Sequence, residues 1–213
     1  MEGLEQYNQK RNFNKTHEPP GRLRRSPAAS LRPDTGLRFV IQHHLASRDH
    51  YDFRLEHGGV LRSWAVPKGP SYNPADKRLA VQVEDHPLEY RHFEGTIPKG
   101  QYGGGTVMLW DEGTYAPLEF GENAIKIELK GKRLKEKWAL VRMKDKGDNS
   151  WLLMKEKDGE SRNAPGIGGY TTSVRTGRTM EQIAAGEEKK APFAVSPAGD
   201  AERRGCHAAT GGA

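Results

Sequence analysis

Between Leu37 and about Tyr170 the chain runs in short segments rich in β-branched and aromatic residues, parted by Gly, Pro and Asp turns. Eight of them read as strands: LRFVIQHH, HYDFRLEH, VLRSWAV, RLAVQVED, GTVMLWDEG, AIKIELKG, KWALVRMK and SWLLMKEK. In RLAVQVED, Leu79, Val81 and Val83 alternate with Ala80, Gln82 and Glu84, the pattern of a strand with one buried face. Strands of this length and spacing predict an antiparallel barrel or sandwich. Trp64, Trp110, Trp138 and Trp151 all fall inside such runs and are expected in the core.

The flanks have a different texture. A short helix is predicted at about residues 2–11, but Pro19, Pro20, Gly21, Pro27 and Pro33 break up the segment between that helix and the first strand. Residues 1–38 carry eight Lys/Arg against four Asp/Glu, so residues 1–36 read as a basic arm without a core of its own. Beyond Ser173 the chain turns to Gly, Ala, Pro and mixed charge, and only MEQIAAGEEKK suits a brief helix. Residues 173–213 are therefore expected to form a flexible tail, leaving one domain at 37–172.

With 213 residues, a formal charge of +6 and a pI near 9.4, the chain favours polyanionic partners such as nucleic acid. The single cysteine, Cys206, excludes a disulfide framework and a thiolate metal cage. No apolar run approaches membrane-spanning length, and MEGLEQYNQKRN lacks the apolar core of a signal peptide. The expectation is a soluble, cytoplasmic monomer.

The run HYDFRL carries the chemistry. On a strand, His50, Asp52 and Arg54 share one face, and Tyr51, Phe53 and Leu55 share the other, with His44 just upstream. A His–Asp pair on a strand is commonly no more than a hydrogen-bonded surface pair. His44 and Arg54 add two further polar groups, and two imidazoles with one carboxylate suit a divalent first-row metal such as Mn²⁺. Arg54 then stands where it grips an anionic oxygen, most naturally that of a phosphate. His86 closes another strand at Asp85-His86-Pro87, where it either bonds the local backbone or reaches a phosphate, and Tyr90 comes four residues later.

Other features carry less. PKGQYGGGTV has glycines but no GK[ST] and no helix after it, so it reads as a tight turn or bulge. Lys68, in WAVPKGPS, lacks the KxDG setting of covalent ligases and is either a phosphate contact or solvated. His17, His43, His57, His92 and His207 have no comparable setting and are expected at the surface.

The strings RFVIQHHLASRDHYDFRLEHGGVLRSWAVPKGPS, DKRLAVQVEDHPLEY and FEGTIPKGQYGGGTVMLWDEGTY, with the amino-terminal KRNF and EPPG, give the chain a close resemblance to the 3′-phosphoesterase module of bacterial DNA ligase D, over roughly residues 7–172. That module also occurs free-standing. The resemblance implies a compact, mainly β, antiparallel barrel of about eight strands with short flanking helices and flexible ends. It implies a Mn²⁺-dependent hydrolase of end joining that removes a 3′-terminal ribonucleoside from DNA or RNA-tipped DNA. The 3′-phosphate left behind is then hydrolysed to a hydroxyl usable by a separate ligase or polymerase. Carried over by residue, it implies His44, His50 and Asp52 as metal ligands and Arg54 and His86 on the phosphate. Gln42, Glu84 and Tyr90 match further functional positions, Lys68 and Arg78 match basic residues of the diesterase step, and Arg11 and Glu18 match arm positions that would fold over the site. One position departs: the family commonly reads KRDF where this chain has Asn12, so a carboxylate is missing unless Glu18 supplies the charge.

Two rival classes stand beside this one. A binder of 3′-phosphorylated ends without turnover would use the same basic cleft, and Asn12 is its best support. A non-haem iron oxygenase also uses two His and one carboxylate, although Arg54, His86 and a basic arm favour phosphate.

Overall fold

The computed structural model describes residues 3–23, 36–144 and 146–186. Nine strands are formed: β1 (Leu37–Leu45), β2 (Asp49–His57), β3 (Val60–Val66), β4 (Arg78–His86), β5 (Gly95–Ile97), β6 (Gly105–Phe120), β7 (Ala124–Gly131), β8 (Lys135–Arg142) and β9 (Ser150–Lys155). They pair in the order β1-β2-β3-β4-β9-β8-β7-β6-β5, and β1 also pairs with β6. That last pairing closes eight antiparallel strands into a barrel and settles barrel over sandwich. The eight strands are the eight predicted runs. The ninth, β5, is a three-residue addition on β6, and β6 runs on past Gly113 through an irregularity at Pro117, where the missing N–H is tolerated.

Alternation decides what faces inward. Phe39, Ile41, Phe53, Leu55, Trp64, Val66, Trp110, Trp138, Leu140, Trp151 and Leu153 fill the interior, each no more than 2% exposed. All four tryptophans lie there, as expected. Trp110 donates its Nε1–H to the Tyr170 carbonyl and Trp151 to Gln82 Oε1, which removes the penalty of burying those N–H groups.

A second apolar cluster forms on the outside of the barrel, from Leu4, Tyr7, Val60, Leu61, Tyr90, Phe93, Ile97 and Val107. It brings together α1 (Glu5–Gln9), a 3-10 helix at Leu88–His92, β5 and the outer face of β3 and β6. A five-residue helix is too short to persist by itself. Here it is pinned by Tyr7, which is fully buried and donates its hydroxyl to the Pro19 carbonyl at 2.7 Å, and by Asn8, which exchanges two hydrogen bonds with the Gly21 backbone.

The expectation of a flexible tail from residue 173 needs correcting over 173–186. Thr172 bridges Thr179, a Thr179–Gln182 capping box starts α2 (Met180–Ala184), and Met180 and Ile183 enter the interior cluster. Two apolar side chains one helical turn apart were enough to dock a segment whose composition is otherwise polar. The rest of that tail, with Cys206 and His207, lies outside the described residues, as do residues 24–35 of the arm. Among the described residues no helix is long and apolar enough to cross a membrane.

Candidate active site

The β1–β2 ladder sets His44 opposite His50 and Gln42 opposite Asp52. The ligand atoms of His44, His50 and Asp52 all lie within 4.8 Å of one another. His44 Nδ1 is 3.6 Å from Asp52 Oδ2, and His50 Nε2 is 3.6 Å from Asp52 Oδ1. The other nitrogen of each ring meets a backbone carbonyl: His44 Nε2 at 3.0 Å from Gly103 O, and His50 Nδ1 at 2.9 Å from Arg48 O. A carbonyl oxygen only accepts, so those nitrogens carry the protons and the lone pairs of His44 Nδ1 and His50 Nε2 point at the carboxylate. Backbone carbonyls fixing the tautomer in this way are the usual outer support of metal-ligating histidines. The donor set therefore fits a divalent first-row metal, the choice of ion resting on the groups around the ligands and on supply.

Gly103 reaches that position because it adopts φ +73°, and β6 can pass close to β1 because the residue that opens it, Gly105, has no Cβ to collide with the Leu45 carbonyl. The glycine cluster is the tight turn that was expected, and it also holds a histidine.

Behind the three ligands sits Arg54, 2% exposed. Its Nε donates to Gln42 Oε1 at 2.7 Å, Nη1 to Ser63 Oγ at 2.9 Å and Nη2 to Asp52 Oδ2 at 2.9 Å, while its plane lies 4.8 Å from the Tyr90 ring centroid. Gln42 is in turn clamped by donating to the Tyr90 and Phe93 carbonyls. Burial works against ionisation of Asp52, but the charge of Arg54 outweighs it and holds the carboxyl well below the usual carboxylate range.

His86 ends β4 opposite Leu61 and is buried. Its Nδ1 is 2.9 Å from the Glu84 carbonyl, so Nδ1 is protonated and the Nε2 lone pair accepts from Arg11 Nη2 at 3.2 Å. Burial, with Arg54 and Arg11 adding to it, pushes the imidazole well below its ordinary value, so the ring is neutral near pH 7.

The arm lies over this face. Arg11 packs 3.7 Å from the Tyr7 ring centroid and pairs with Glu18 at 2.9 Å and Glu84 at 3.2 Å. Glu18 also accepts from Thr16 Oγ1 at 2.9 Å. Lys10 and Tyr102 both bond Glu84 Oε2, at 3.2 and 3.3 Å, and so tie the arm to the loop that carries Gly103.

Ten of the residues singled out in the sequence thus share one face: Gln42, His44, His50, Asp52, Arg54, Glu84, His86, Tyr90, Arg11 and Glu18. Three others form no side-chain hydrogen bond or ion pair with that group. Asn12 is exposed, and its side chain accepts from the Asn14 backbone to cap its own turn. Lys68 is exposed in the turn after β3, and Arg78 pairs with Asp76 at 2.8 Å. Ser63, Tyr7, Lys10 and Tyr102 were missed. For Ser63 the signal was present: VLRSWAV places Leu61, Ser63 and Ala65 on the face opposite Trp64, which puts a hydroxyl in line with the charged face of β2.

Sequence comparison agrees with this arrangement. A profile of the DNA Ligase D 3′-phosphoesterase domain matches residues 42–142, the span that holds the barrel from mid-β1 to the end of β8. The multifunctional non-homologous end joining protein LigD of Pseudomonas aeruginosa is 49% identical over 166 residues, which is 75% of this chain and 19% of that protein. The non-homologous end joining DNA repair protein LigD of Mycobacterium tuberculosis is 44% identical over 159 residues, 73% of this chain and 20% of its own length. That of Mycolicibacterium smegmatis is 39% identical over 166 residues, with shares of 73% and 21%. The chain thus spans about a fifth of the length of these curated relatives. By profile and by relatives across three quarters of its length, the chain is shown to be similar to the 3′-phosphoesterase domain of DNA ligase D.

Proposed function

We propose that this protein is a metal-dependent phosphoesterase that heals 3′ ends of DNA or RNA-tipped DNA, removing a 3′-terminal ribonucleoside and then the 3′-phosphate. The observation that carries this reading is the buried Arg54 guanidinium held against Asp52, immediately beside a His44–His50–Asp52 donor set. A cation and a metal-ligand triad at one point on the surface match a phosphate better than a neutral substrate. A divalent ion such as Mn²⁺, bound there, supplies charge neutralisation and lowers the pKa of a bound water.

The residues of the chain do the remainder. Arg54 offers N–H donors to the phosphate oxygens on which charge builds up. His86 donates to the phosphate or to the leaving 3′-oxygen only with a proton on Nε2, and an approaching phosphate dianion supplies the field that favours protonation. In doing so it displaces Arg11 from Nε2, which frees one guanidinium nitrogen for the same phosphate. In the first reaction water adds to phosphorus and the bond to the 5′-oxygen of the terminal ribonucleoside breaks, which leaves a 3′-phosphate; in the second the bond to the 3′-oxygen breaks, and each departing oxygen leaves as a hydroxyl. Lys68 and Arg78 are given the role of holding the nucleic-acid strand in the diesterase reaction.

A primer–template ending in one ribonucleotide, and the same primer ending in a 3′-phosphate, test the reading. Mn²⁺-dependent conversion of both to a 3′-hydroxyl, abolished by chelation, is the expected result. Tight binding without conversion, or activity that needs iron and oxygen, overturns it.

A further inference from the structure

Ser63 lies on β3 directly opposite Arg54 in the ladder and is fully buried. Its Oγ donates to the Leu61 carbonyl at 3.0 Å, accepts from Arg54 Nη1 at 2.9 Å and stands 3.4 Å from His86 Nδ1. A hydroxyl has one proton, and here it is committed to the carbonyl, so its lone pairs face Arg54 Nη1 and, at the longer 3.4 Å, the His86 Nδ1–H that is shared with the Glu84 carbonyl. The oxygen therefore sits where β2, β3 and β4 meet and touches the two groups that the proposed chemistry places on the phosphate.

The donor count on Arg54 shows what this does. A guanidinium has five N–H bonds. Gln42, Ser63 and Asp52 take one each on Nε, Nη1 and Nη2, which leaves one on each terminal nitrogen. Two free N–H bonds on adjacent nitrogens form the fork that grips two oxygens of one phosphate. Without Ser63, Nη1 loses its fixed partner and the fork is free to roll about the axis set by Gln42.

We infer that Ser63 is a positioning residue: it sets the roll of the Arg54 fork and the tilt of the His86 ring, from two different strands, toward a single phosphate. The inference rests on the proposed phosphoesterase function. Its competitor is purely structural, since Ser63 also satisfies a carbonyl where the β3–β4 register shifts between Leu61 and Ser63.

A double-mutant cycle separates the two. Turnover of a 3′-phosphorylated primer with Mn²⁺, inhibition by inorganic phosphate and the melting temperature are measured for the wild type, Ser63→Ala, Arg54→Lys and the double variant. If Ser63 acts through Arg54, Ser63→Ala lowers kcat about tenfold or more and weakens phosphate inhibition by a similar factor. Because Lys at position 54 has no fork to set, the double variant is then no slower than Arg54→Lys alone. Wild-type turnover in Ser63→Ala, or losses that multiply in the double variant, overturns the inference. Should Ser63→Ala fail to fold, Ser63→Cys, close in volume and with a weaker acceptor, enters the same cycle and is judged by the same non-additivity. If Arg54→Lys is fully active, the phosphate role of Arg54 fails and this inference with it; an impaired Arg54→Lys beside an unimpaired Ser63→Ala overturns the positioning role alone.

Discussion

Glu18 is the residue whose removal most directly asks whether the arm is latched over the site by its buried ion pairs. It is 3% exposed, and its two oxygens accept from Arg11 Nε and Thr16 Oγ1, each at 2.9 Å. Glu18→Gln keeps the shape and one acceptor for Arg11, so it converts a charge-assisted hydrogen bond into a neutral one of roughly half the strength. The loss should be about 1 kcal/mol. Glu18→Ala leaves Arg11, whose side chain is 4% exposed, with Glu84 as its remaining carboxylate. Deleting one partner of a buried pair costs about 3–5 kcal/mol, and the surviving bond to Glu84 places this case near 3. At 1.4 kcal/mol per factor of ten, the open population of the arm rises about fivefold in the first variant and on the order of a hundredfold in the second. Hydrogen exchange at the Asn8, Lys10, Lys15 and Thr16 amides, all bonded within the arm, reads this directly, with the amides of β2 as internal reference. Turnover should fall in the same order. Unchanged exchange in Glu18→Ala refutes the latch, and faster exchange with undiminished turnover refutes the claim that the closed arm belongs to the site.

Asp52→Asn should abolish the rise in melting temperature that Mn²⁺ gives the wild type, because one charged ligand is lost, while the circular dichroism spectrum stays unchanged. For Glu84, burial pushes the carboxyl up, but its own backbone N–H, Lys10 and Arg11 more than offset this and hold it below its ordinary 4.5. A depressed folded value means its contribution is complete above about pH 4.5 and lost as pH falls through the lower folded value, so the urea midpoint of wild type over Glu84→Gln should shrink between about pH 6 and pH 3. Truncation after Gly186 should leave the melting temperature in place, whereas truncation after Thr179 removes Met180 and Ile183, 7% and 3% exposed, worth about 1.5–3 kcal/mol each, and should lower it by several degrees. Asn12→Asp should change neither reaction by more than about twofold, since surface substitutions of this kind stay within about 0.5 kcal/mol; a clear gain in rate would show that position 12 reaches the site after all.

What the sequence could reveal came from period. Strict alternation in HYDFRL and RLAVQVED marked the strands, and in HYDFRL it sorted Phe53 from Asp52 before any partner was known; in RLAVQVED it pointed to the wrong face, since Ala80 lines the interior while Leu79 is 43% exposed. Partners are another matter. That His44 faces His50 depends on a three-residue turn between β1 and β2, and that Ser63 touches Arg54 depends on the register of β3, neither of which periodicity encodes. β5 is too short to show alternation, and the 3-10 helix at Leu88–His92 comes after Pro87 in a stretch whose apolar residues, Leu88 and Tyr90, fit either a strand or a turn. The arm misled composition because its few anchors, Tyr7, Arg11 and Glu18, are scattered among prolines and polar residues. Asn12 was singled out by family resemblance alone, and it faces solvent; Lys68, read from its own setting as a phosphate contact or solvated, is exposed as well.

The same strand, β2, furnishes the barrel with Phe53 and Leu55 and the outer face with Asp52 and Arg54. A slip of one residue against β1 would drive a carboxylate and a guanidinium into the tryptophan-lined interior and turn a phenylalanine out beneath the arm. No state slipped by one residue can therefore be folded yet chemically altered: proofreading against that slip is delegated to the hydrophobic interior, which rejects the wrong alignment before any substrate is met. A metal ion spanning His44 and His50 across the same hairpin would add a second lock to that alignment.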